Sequence, residues 1–347
     1  MKALILAGGF ATRLRPLSCS KPKLLFPIVG VPLIDRMISW LGEAGIREII
    51  LAVNHLSERL KIELGQKRLG SKIQFSVEEE TLGTAGPIRL ASPYLDPHEP
   101  FLALNGDIVT DIDLRALVNV HLARSAIATI ALTRVRDPAQ YGSVTVTPDG
   151  RITGFEEKKD SPTKTNLINA GIYILDPKVQ TLIPRHGPVS LERTVFPRLA
   201  SKRLMWGMTH NGVWYDIGRI SDFVKANMEI LKTTTHTGIV HSKQYKQTWA
   251  AKSPFSVGEG FRPSKGVRIG PNTILSERVS VGEGSSIRNS IIFEDTTIGA
   301  RCTLNGALVG EKVSIGSQSQ IGKRAVVAGE ISIPDGSIIR ENSFVLS

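Results

Sequence analysis

Four cations, Arg13, Arg15, Lys21 and Lys23, follow a Gly8-Gly9 pair in the stretch LAGGFATRLRPLSCSKPKLL, Leu6 to Leu25, with no acid among them. Adjacent glycines let a chain turn sharply and bring bare N–H groups up to a ligand, while Arg forks and Lys point charges neutralise phosphate oxygens. The chemistry this combination suits is polyphosphate binding, a nucleoside triphosphate in particular. A solvated basic loop behind a first strand would have the same composition. Two common phosphate-binding patterns are absent: there is no G-x-G-x-x-G for a dinucleotide and no G-K-[ST] closing a P-loop.

The same stretch resembles the signature of the sugar-1-phosphate nucleotidylyltransferases, usually a Gly-Gly-x-Gly-Thr-Arg-Leu core, a Pro-Leu pair and a Pro-Lys-Pro. Here Ala11 stands where Gly is usual, and Leu24 follows Pro22-Lys23 where a second Pro is usual. The resemblance implies that Leu6, Ala7, Gly8, Gly9, Thr12 and Arg13 line the nucleotide, and that Arg13 and Lys23 are catalytic. Ala11 is larger than glycine and excludes some positive φ values.

The elements that must position this loop read as alternating strands and helices. ALILA (Ala3 to Ala7), EIILAV (Glu48 to Val53), KIQFSVE (Lys72 to Glu78) and FLALNGD (Phe101 to Asp107) are apolar strands. Helices are predicted over Pro32 to Ile46, Leu56 to Leu64, Leu114 to Arg124 and Ile220 to Lys232. Alternation of this kind predicts an α/β fold with a doubly wound, Rossmann-like, mostly parallel sheet, whose ligands bind beyond the carboxyl ends of the strands. A strong turn at Asp149-Gly150 joins SVTVT to RITGFEEK as a hairpin.

Each strand end carries a further candidate. EEETLGTAGP (Glu78 to Pro87) could be a plain connection, but its Gly-Thr-Ala resembles the family's base and ribose loop, implicating Glu80, Gly83, Thr84 and Ala85. Gly106 and Asp107 resemble a metal-binding strand end that also meets the nucleotide, and GVWYDIG (Gly212 to Gly218) supplies Asp216 as the second metal carboxylate. Phe155-Glu156-Glu157-Lys158 and Asn169-Ala170-Gly171 resemble the family's sugar and sugar-phosphate contacts, through Glu157, Lys158, Asn169, Ala170 and Gly171. The implied metal is Mg²⁺, held by Asp107 and Asp216, both catalytic.

Beyond 232 the pattern changes. Residues 233–265, rich in Thr, Lys, Ser and Gly, read as a linker between a catalytic domain at 1–232 and a repeat domain at 266–347. Ile269, Leu275, Val281, Ile287 and Phe293 stand every six residues; after slips the phase resumes at Ile298, Leu304, Ile315, Ile321, Val327, Ile333, Ile339 and Val345. Hexapeptide repeats of this kind predict a C-terminal left-handed parallel β-helix. No histidine follows His241, so the imidazole base of hexapeptide acyltransferases is missing and the domain is assigned to assembly or regulation.

A formal net charge of +11 on 347 residues would also suit nucleic acid, but aromatic residues do not interleave with Lys and Arg as a stacking platform requires. No apolar run is long enough to span a bilayer. Cys19 and Cys302 form no metal or redox pair, which suggests free thiols and a cytoplasmic chain. The family resemblance thus implies a nucleoside triphosphate and a sugar 1-phosphate as partners, no nucleic acid, no membrane, and a homo-oligomer built through the β-helix. Within the family, GTAGP with a hexapeptide domain looks most like the enzymes that pair GTP with mannose 1-phosphate. Thymidylyl- or uridylyltransfer to glucose 1-phosphate, and a non-catalytic regulatory subunit, are the alternatives.

Overall fold

Five residues, ALILA, form β1 (Ala3–Ala7) because they are short, apolar and followed at once by glycines; the first three are buried. The computed structural model describes residues 1–54, 58–65, 70–156, 165–233 and 249–346. Within these, β1 is followed by β2 (Pro27–Ile28), β3 (Val31–Pro32), β4 (Glu48–Asn54), β5 (Lys72–Glu78), β6 (Phe101–Asn105) and β7 (Ile108–Thr110). Then come β8 (Ala128–Arg134), β9 (Ser143–Val146), β10 (Ile152–Glu156), β11 (Leu167–Leu175), β12 (Met205–His210) and β13 (Trp214–Asp216). The helices are α1 (Leu33–Glu43), α2 (Glu58–Gly65), α3 (Gly86–Leu90), α4 (Leu114–Arg124), α5 (Phe196–Ser201) and α6 (Ile220–Thr233).

The chain forms two units: residues 1–10 with 34–216, and residues 11–33 with 217–347. The first is built on a nine-stranded sheet in the order β10-β9-β11-β6-β1-β4-β5, with β8 between β11 and β12. Its centre is parallel, β1 lying between β4 and β6 and β4 beside β5. The expected Rossmann-like block is therefore present. β11 pairs antiparallel with β6, β8 and β9, so the sheet is mixed on that flank. α1 buries Leu33, Ile34, Met37, Ile38 and Leu41, one face at helical spacing, and Gly45 at φ 85 ends that segment. At α4 the Asp113 carboxylate accepts from the Ala116 N–H at 3.0 Å, a side-chain N-cap.

The second unit contains three parallel sheets of six, six and five short strands, the arrangement of a left-handed parallel β-helix. Equivalent residues stack coil on coil, as in Ile269↔Ile287, Leu304↔Ile321 and Ile321↔Ile339. Three of its strands, Ala250–Ala251, Phe255–Val257 and Arg262–Pro263, lie in the stretch read from composition as linker. There the positions paired with Ile269, Leu275 and Val281 are held by Ala251, Val257 and Pro263, and the alanine and proline hide the six-residue phase. The phase also slips earlier than expected: Ile292, not Phe293, stacks between Leu275 and Val309. Phe293 is buried instead among the rings of Phe26 and Phe223, each centroid within 6 Å at 5.5 and 5.9 Å.

The segment 11–33 belongs to this second unit. Three 3₁₀ turns, Thr12–Leu14, Leu17–Cys19 and Lys23–Leu25, fold it tightly, which apolar periodicity alone does not reveal. The first turn opens at Ala11 in the left-handed region, φ 48 and ψ 37. For a residue with a Cβ this costs about 1–2 kcal/mol. Glycine would avoid it but loses about 0.5–1 kcal/mol more on ordering. Ala11→Gly is expected to stabilise the chain by roughly 0.5 kcal/mol, the difference between these terms, with chemical denaturation as the measurement and unchanged or lower stability as the contrary result.

Candidate active site

Because β1, β4, β5 and β6 are parallel, their carboxyl ends share one edge, and the candidate loops leave from it. Leu6 pairs with Asn105, and the Gly106 N–H donates to the Leu6 carbonyl at 2.8 Å, so Gly8 and Asp107 start from adjoining strands. The Asn54 amide donates to the Gly8 carbonyl at 3.3 Å. Glu78, which ends β5, is buried, and a Cβ added at Gly8 would run into its carboxylate. Glycine leaves that carboxylate its place, and a larger residue would displace it. One Glu78 oxygen accepts from the Leu82 N–H at 3.2 Å; the other, Oε1, is buried with no partner among the described residues. Burial pushes the Glu78 carboxyl above the usual range, a shift the Leu82 bond only offsets. Glu80, two residues on, is exposed.

The Gly83-Thr84-Ala85 loop is fixed by residues that sequence reading missed. The Leu82 carbonyl accepts from the Val189 N–H at 2.9 Å, and the Ala85 N–H donates to the Val189 carbonyl at 2.8 Å. Gly83 stands at φ 75, and a Cβ on it would strike that same carbonyl. The Thr84 hydroxyl donates to Glu192 Oε2 at 2.6 Å and accepts from the Leu191 N–H at 2.8 Å. Ser190 Oγ adds a bond to the same carboxylate oxygen at 2.7 Å, and the Tyr173 hydroxyl donates to Glu192 Oε1 at 3.3 Å. Asn169 then donates to the Tyr173 hydroxyl at 2.9 Å and accepts from the Gly171 N–H at 2.9 Å. A continuous polar chain thus joins Thr84 to Asn169 and Gly171. Burial, and next the nearby Glu192 charge, hold the Tyr173 phenol well above its usual range, so it stays a neutral donor.

Ala170 and Gly171 are held on their other side. The Trp214 indole N–H donates to the Ala170 carbonyl at 2.9 Å, and Tyr141 packs edge-on against Trp214 at 5.4 Å. Gly171 stands at φ 74, and a Cβ there would meet the Asn105 side chain. Trp214 begins β13, which pairs antiparallel with β7 so that Asp216 lies opposite Ile108, the residue after Asp107. The backbone at Asp216 thus lies across from the residue that follows Asp107, and both aspartates are half-buried. Hard cations prefer oxygen, and Mg²⁺ is commonly held by one or two carboxylates with water and phosphate completing its shell. The Asp107–Asp216 pair fits that pattern, and among the described residues no group of three His, Cys, Asp or Glu forms a self-sufficient metal cage.

In the second unit Thr12, Arg13 and Arg15 are exposed and Lys23 is half-buried. Lys21 differs from the expectation that all four cations face phosphate: it is buried, with its ammonium on Glu294 and, at 2.9 Å, on Glu311. Glu157 and Lys158 lie outside the described residues. The loop network gives a direct expectation for Thr84. Thr84→Val leaves the Leu191 N–H without its acceptor and removes one of the two bonds to Glu192 Oε2, a loss of about 1–3 kcal/mol. Thr84→Ser keeps the hydroxyl and most of that stability. Urea unfolding of both variants checks this; equal losses would show that the hydroxyl is not the source.

Comparison with known proteins gives this geometry a family. Residues 2–233 match the Nucleotidyl transferase family, and residues 253–347 match the GMPPB C-terminal domain. The chain is 41% identical over 226 residues to a mannose-1-phosphate guanylyltransferase catalytic subunit beta of Drosophila pseudoobscura pseudoobscura, an alignment covering 64% of this chain and 60% of that protein. It is likewise 41% identical over 228 residues to the Danio rerio protein of that name, covering 65% and 63%. These alignments therefore span under two thirds of the relatives' own length. Among solved structures, HddC from Yersinia pseudotuberculosis superposes with a TM-score of 0.58 at 29% identity, covering 66% of this chain and 99% of HddC. HddC has also been crystallised with GMP-PN, and that structure superposes with a TM-score of 0.57 at 29% identity over the same shares. The family generally works with a divalent metal. With a parallel-sheet unit whose loops match the family over two thirds of its length, the chain belongs to the nucleotidyl transferase family.

Proposed function

We propose that this chain joins mannose 1-phosphate to GTP, giving GDP-mannose and pyrophosphate. A sugar-phosphate oxygen attacks the α-phosphorus, one P–O bond forms, and the bond to the β-phosphate oxygen breaks, releasing pyrophosphate. The observation that supports this reading is the β7–β13 pairing, in which Asp216 lies opposite Ile108, the residue after Asp107, while Gly106 bonds to Leu6 of the strand that leads into Gly8. The similarity to the guanylyltransferases over 226 residues and the HddC complex with GMP-PN support the choice of sugar and base.

Both reactants are anions, so the protein's task is to suppress their repulsion and hold them in line. Asp107 and Asp216 are proposed to hold Mg²⁺, which when bound neutralises phosphate charge and polarises the phosphoryl oxygens. Arg13 takes the leaving β and γ phosphates, Lys23 the α-phosphate, and Lys158 the sugar phosphate. The N–H groups of Gly8 and Gly9, with Leu6, Ala7 and Thr12, cradle the nucleotide, and Glu157, Asn169, Ala170 and Gly171 meet the sugar. Gly83, Thr84, Ala85 and Gly106 face the base and ribose. The Thr84 hydroxyl is already committed to Glu192, so its contribution is through the backbone.

Guanine presents two adjacent donors, which a carboxylate accepts together. The acidic turn, with Glu80 exposed and Glu78 carrying an oxygen without a partner among the described residues, offers that acceptor. Adenine sets an amine beside a ring acceptor and meets a carboxylate badly, a difference of about 1–3 kcal/mol if one bidentate contact decides it. No helix among the described residues is long and apolar enough to cross a membrane. We also propose self-association through the β-helix, whose last described coils expose Ile338, Phe344 and Leu346.

Asp107→Ala and Asp216→Ala are each expected to abolish Mg²⁺-dependent pyrophosphate release with the circular dichroism spectrum unchanged; full activity in either removes that residue from the site. Steady-state kcat/KM with GTP, ATP, dTTP and UTP against mannose 1-phosphate and glucose 1-phosphate is expected to be highest for GTP with mannose 1-phosphate. A higher value for dTTP or UTP with both sugars replaces the guanylyl reading. Light scattering at micromolar concentration is expected to give a multiple of the 37.8 kDa chain mass, and a monomer overturns the assembly reading.

A further inference from the structure

Lys21 stands two residues before Lys23, yet its ammonium is buried against two carboxylates of the β-helix. Those carboxylates occupy one corner of successive coils. The Lys312 N–H donates to the Glu294 carbonyl at 2.9 Å and the Glu330 N–H to the Glu311 carbonyl at 2.8 Å, so Glu294, Glu311 and Gly329 succeed one another up that corner. Each rung receives a residue of the 20–26 segment or its neighbourhood. Gly329 meets Ser20, whose hydroxyl a Cβ at Gly329 would strike. Glu311 and Glu294 take Lys21. Phe293, beside Glu294, packs on Phe26 at 5.5 Å, and Phe26 packs on Phe223 of α6 at 5.5 Å. The Val29 N–H completes the set by donating to Asn227 of α6 at 2.7 Å.

The coils of the β-helix are joined by backbone hydrogen bonds and an aliphatic core. Two carboxylates stacked on adjacent coils repel each other, and Glu311 is fully buried. Burial raises the Glu294 carboxyl above its usual range even with Lys21 beside it. Without a cation this corner would carry like charges out of water, an arrangement worse than neutral residues of the same size. Lys21 supplies the cation, and the segment bearing it is thereby fixed to the coil surface.

We propose that Lys21 is a positioning residue: through Glu294 and Glu311 the β-helix holds in place the segment that carries Lys23. This rests on the reading of Lys23 given above, and the test separates the two. In the full-length chain, Lys21→Met is compared with Lys21→Met/Glu294→Gln/Glu311→Gln. Amide exchange is read at Leu25 and Phe26, whose N–H groups donate to the Pro22 and Lys23 carbonyls at 2.9 and 3.0 Å. Pyrophosphate release is read as kcat and KM for the nucleotide.

Lys21→Met is expected to speed exchange at both amides and to lower kcat/KM by about 10–10²-fold, the scale of an ångström-level misplacement. The triple variant removes the buried charges but restores no anchor, so exchange at both amides is expected to stay faster than in the wild type. Unchanged exchange in Lys21→Met overturns the proposal. So does wild-type exchange in the triple variant, because the segment would then be held without the Lys21 anchor. If Lys21→Met does not fold, Gly329→Val presses on Ser20 with every charge kept; faster exchange at Leu25 and Phe26 supports the anchor and unchanged exchange removes it. A wild-type chain that releases no pyrophosphate with any nucleotide would sink the reaction assigned above, while the exchange comparison would still decide the anchor.

Discussion

Parallel pairing of β1 with both β4 and β6 is the constraint from which the first unit follows. Parallel strands all begin at one edge of a sheet and end at the other, so every loop leaving a carboxyl end is delivered to the same side regardless of sequence distance. Gly8, Asn54, Glu78 and Gly106 come from four such ends, and they are neighbours because the strands beneath them are already in register. The antiparallel strand β11 then enters beside β6 and brings Asn169 to Gly171 to the same neighbourhood, Gly171 lying directly over Asn105. The side chains need little reach. The backbone does the convergence.

Polar satisfaction is the second constraint. A loop such as Gly83-Thr84-Ala85 cannot be set down on a sheet edge without giving its N–H and C=O groups partners. The 189–192 segment provides them on one side, and Glu192 gathers Thr84, Ser190 and Tyr173 around one carboxylate. Such a network is all or nothing, since a half-satisfied buried cluster is worse than none. It also ties the 83–85 loop to the 169–171 strand, although they are far apart in the chain.

Much of this was legible from the sequence, and the limits have physical causes. The parallel strands declared themselves as apolar runs, the loops as glycines after them, and the β-helix as a six-residue phase, because each of these is a local consequence of backbone geometry. The family motifs extended that reading to Asp107 and Asp216, whose approach depends on the antiparallel pairing of β13 with β7 and has no local signature. Lys21 was misread for the same reason. A lysine among arginines looks like one more phosphate ligand, and only the fold brings it to Glu294 and Glu311. Glu192 was passed over because a glutamate in a polar stretch carries no mark of its partners. Phe293 kept the six-residue phase in print but not in space, since a one-residue shortening of a turn is invisible when an aliphatic neighbour, Ile292, can take the inward place.

The corner ladder of the β-helix works as a ruler. Successive coils are about 4.8 Å apart, so a residue placed at a given rung marks height along the axis. Three neighbouring rungs, those of Gly329, Glu311 and Glu294, are read by Ser20 at the first, by Lys21 at the second and third, and by Phe26 at Phe293 beside the third. Coils before residue 293 or after 330 can be gained or lost without changing any of these heights, because each coil touches only its neighbours. A coil gained or lost between them would set the segment out of step by one whole rung. The repeat domain is therefore free to lengthen at its ends, while its middle is held to a fixed count by a segment that precedes it by more than two hundred residues in the chain.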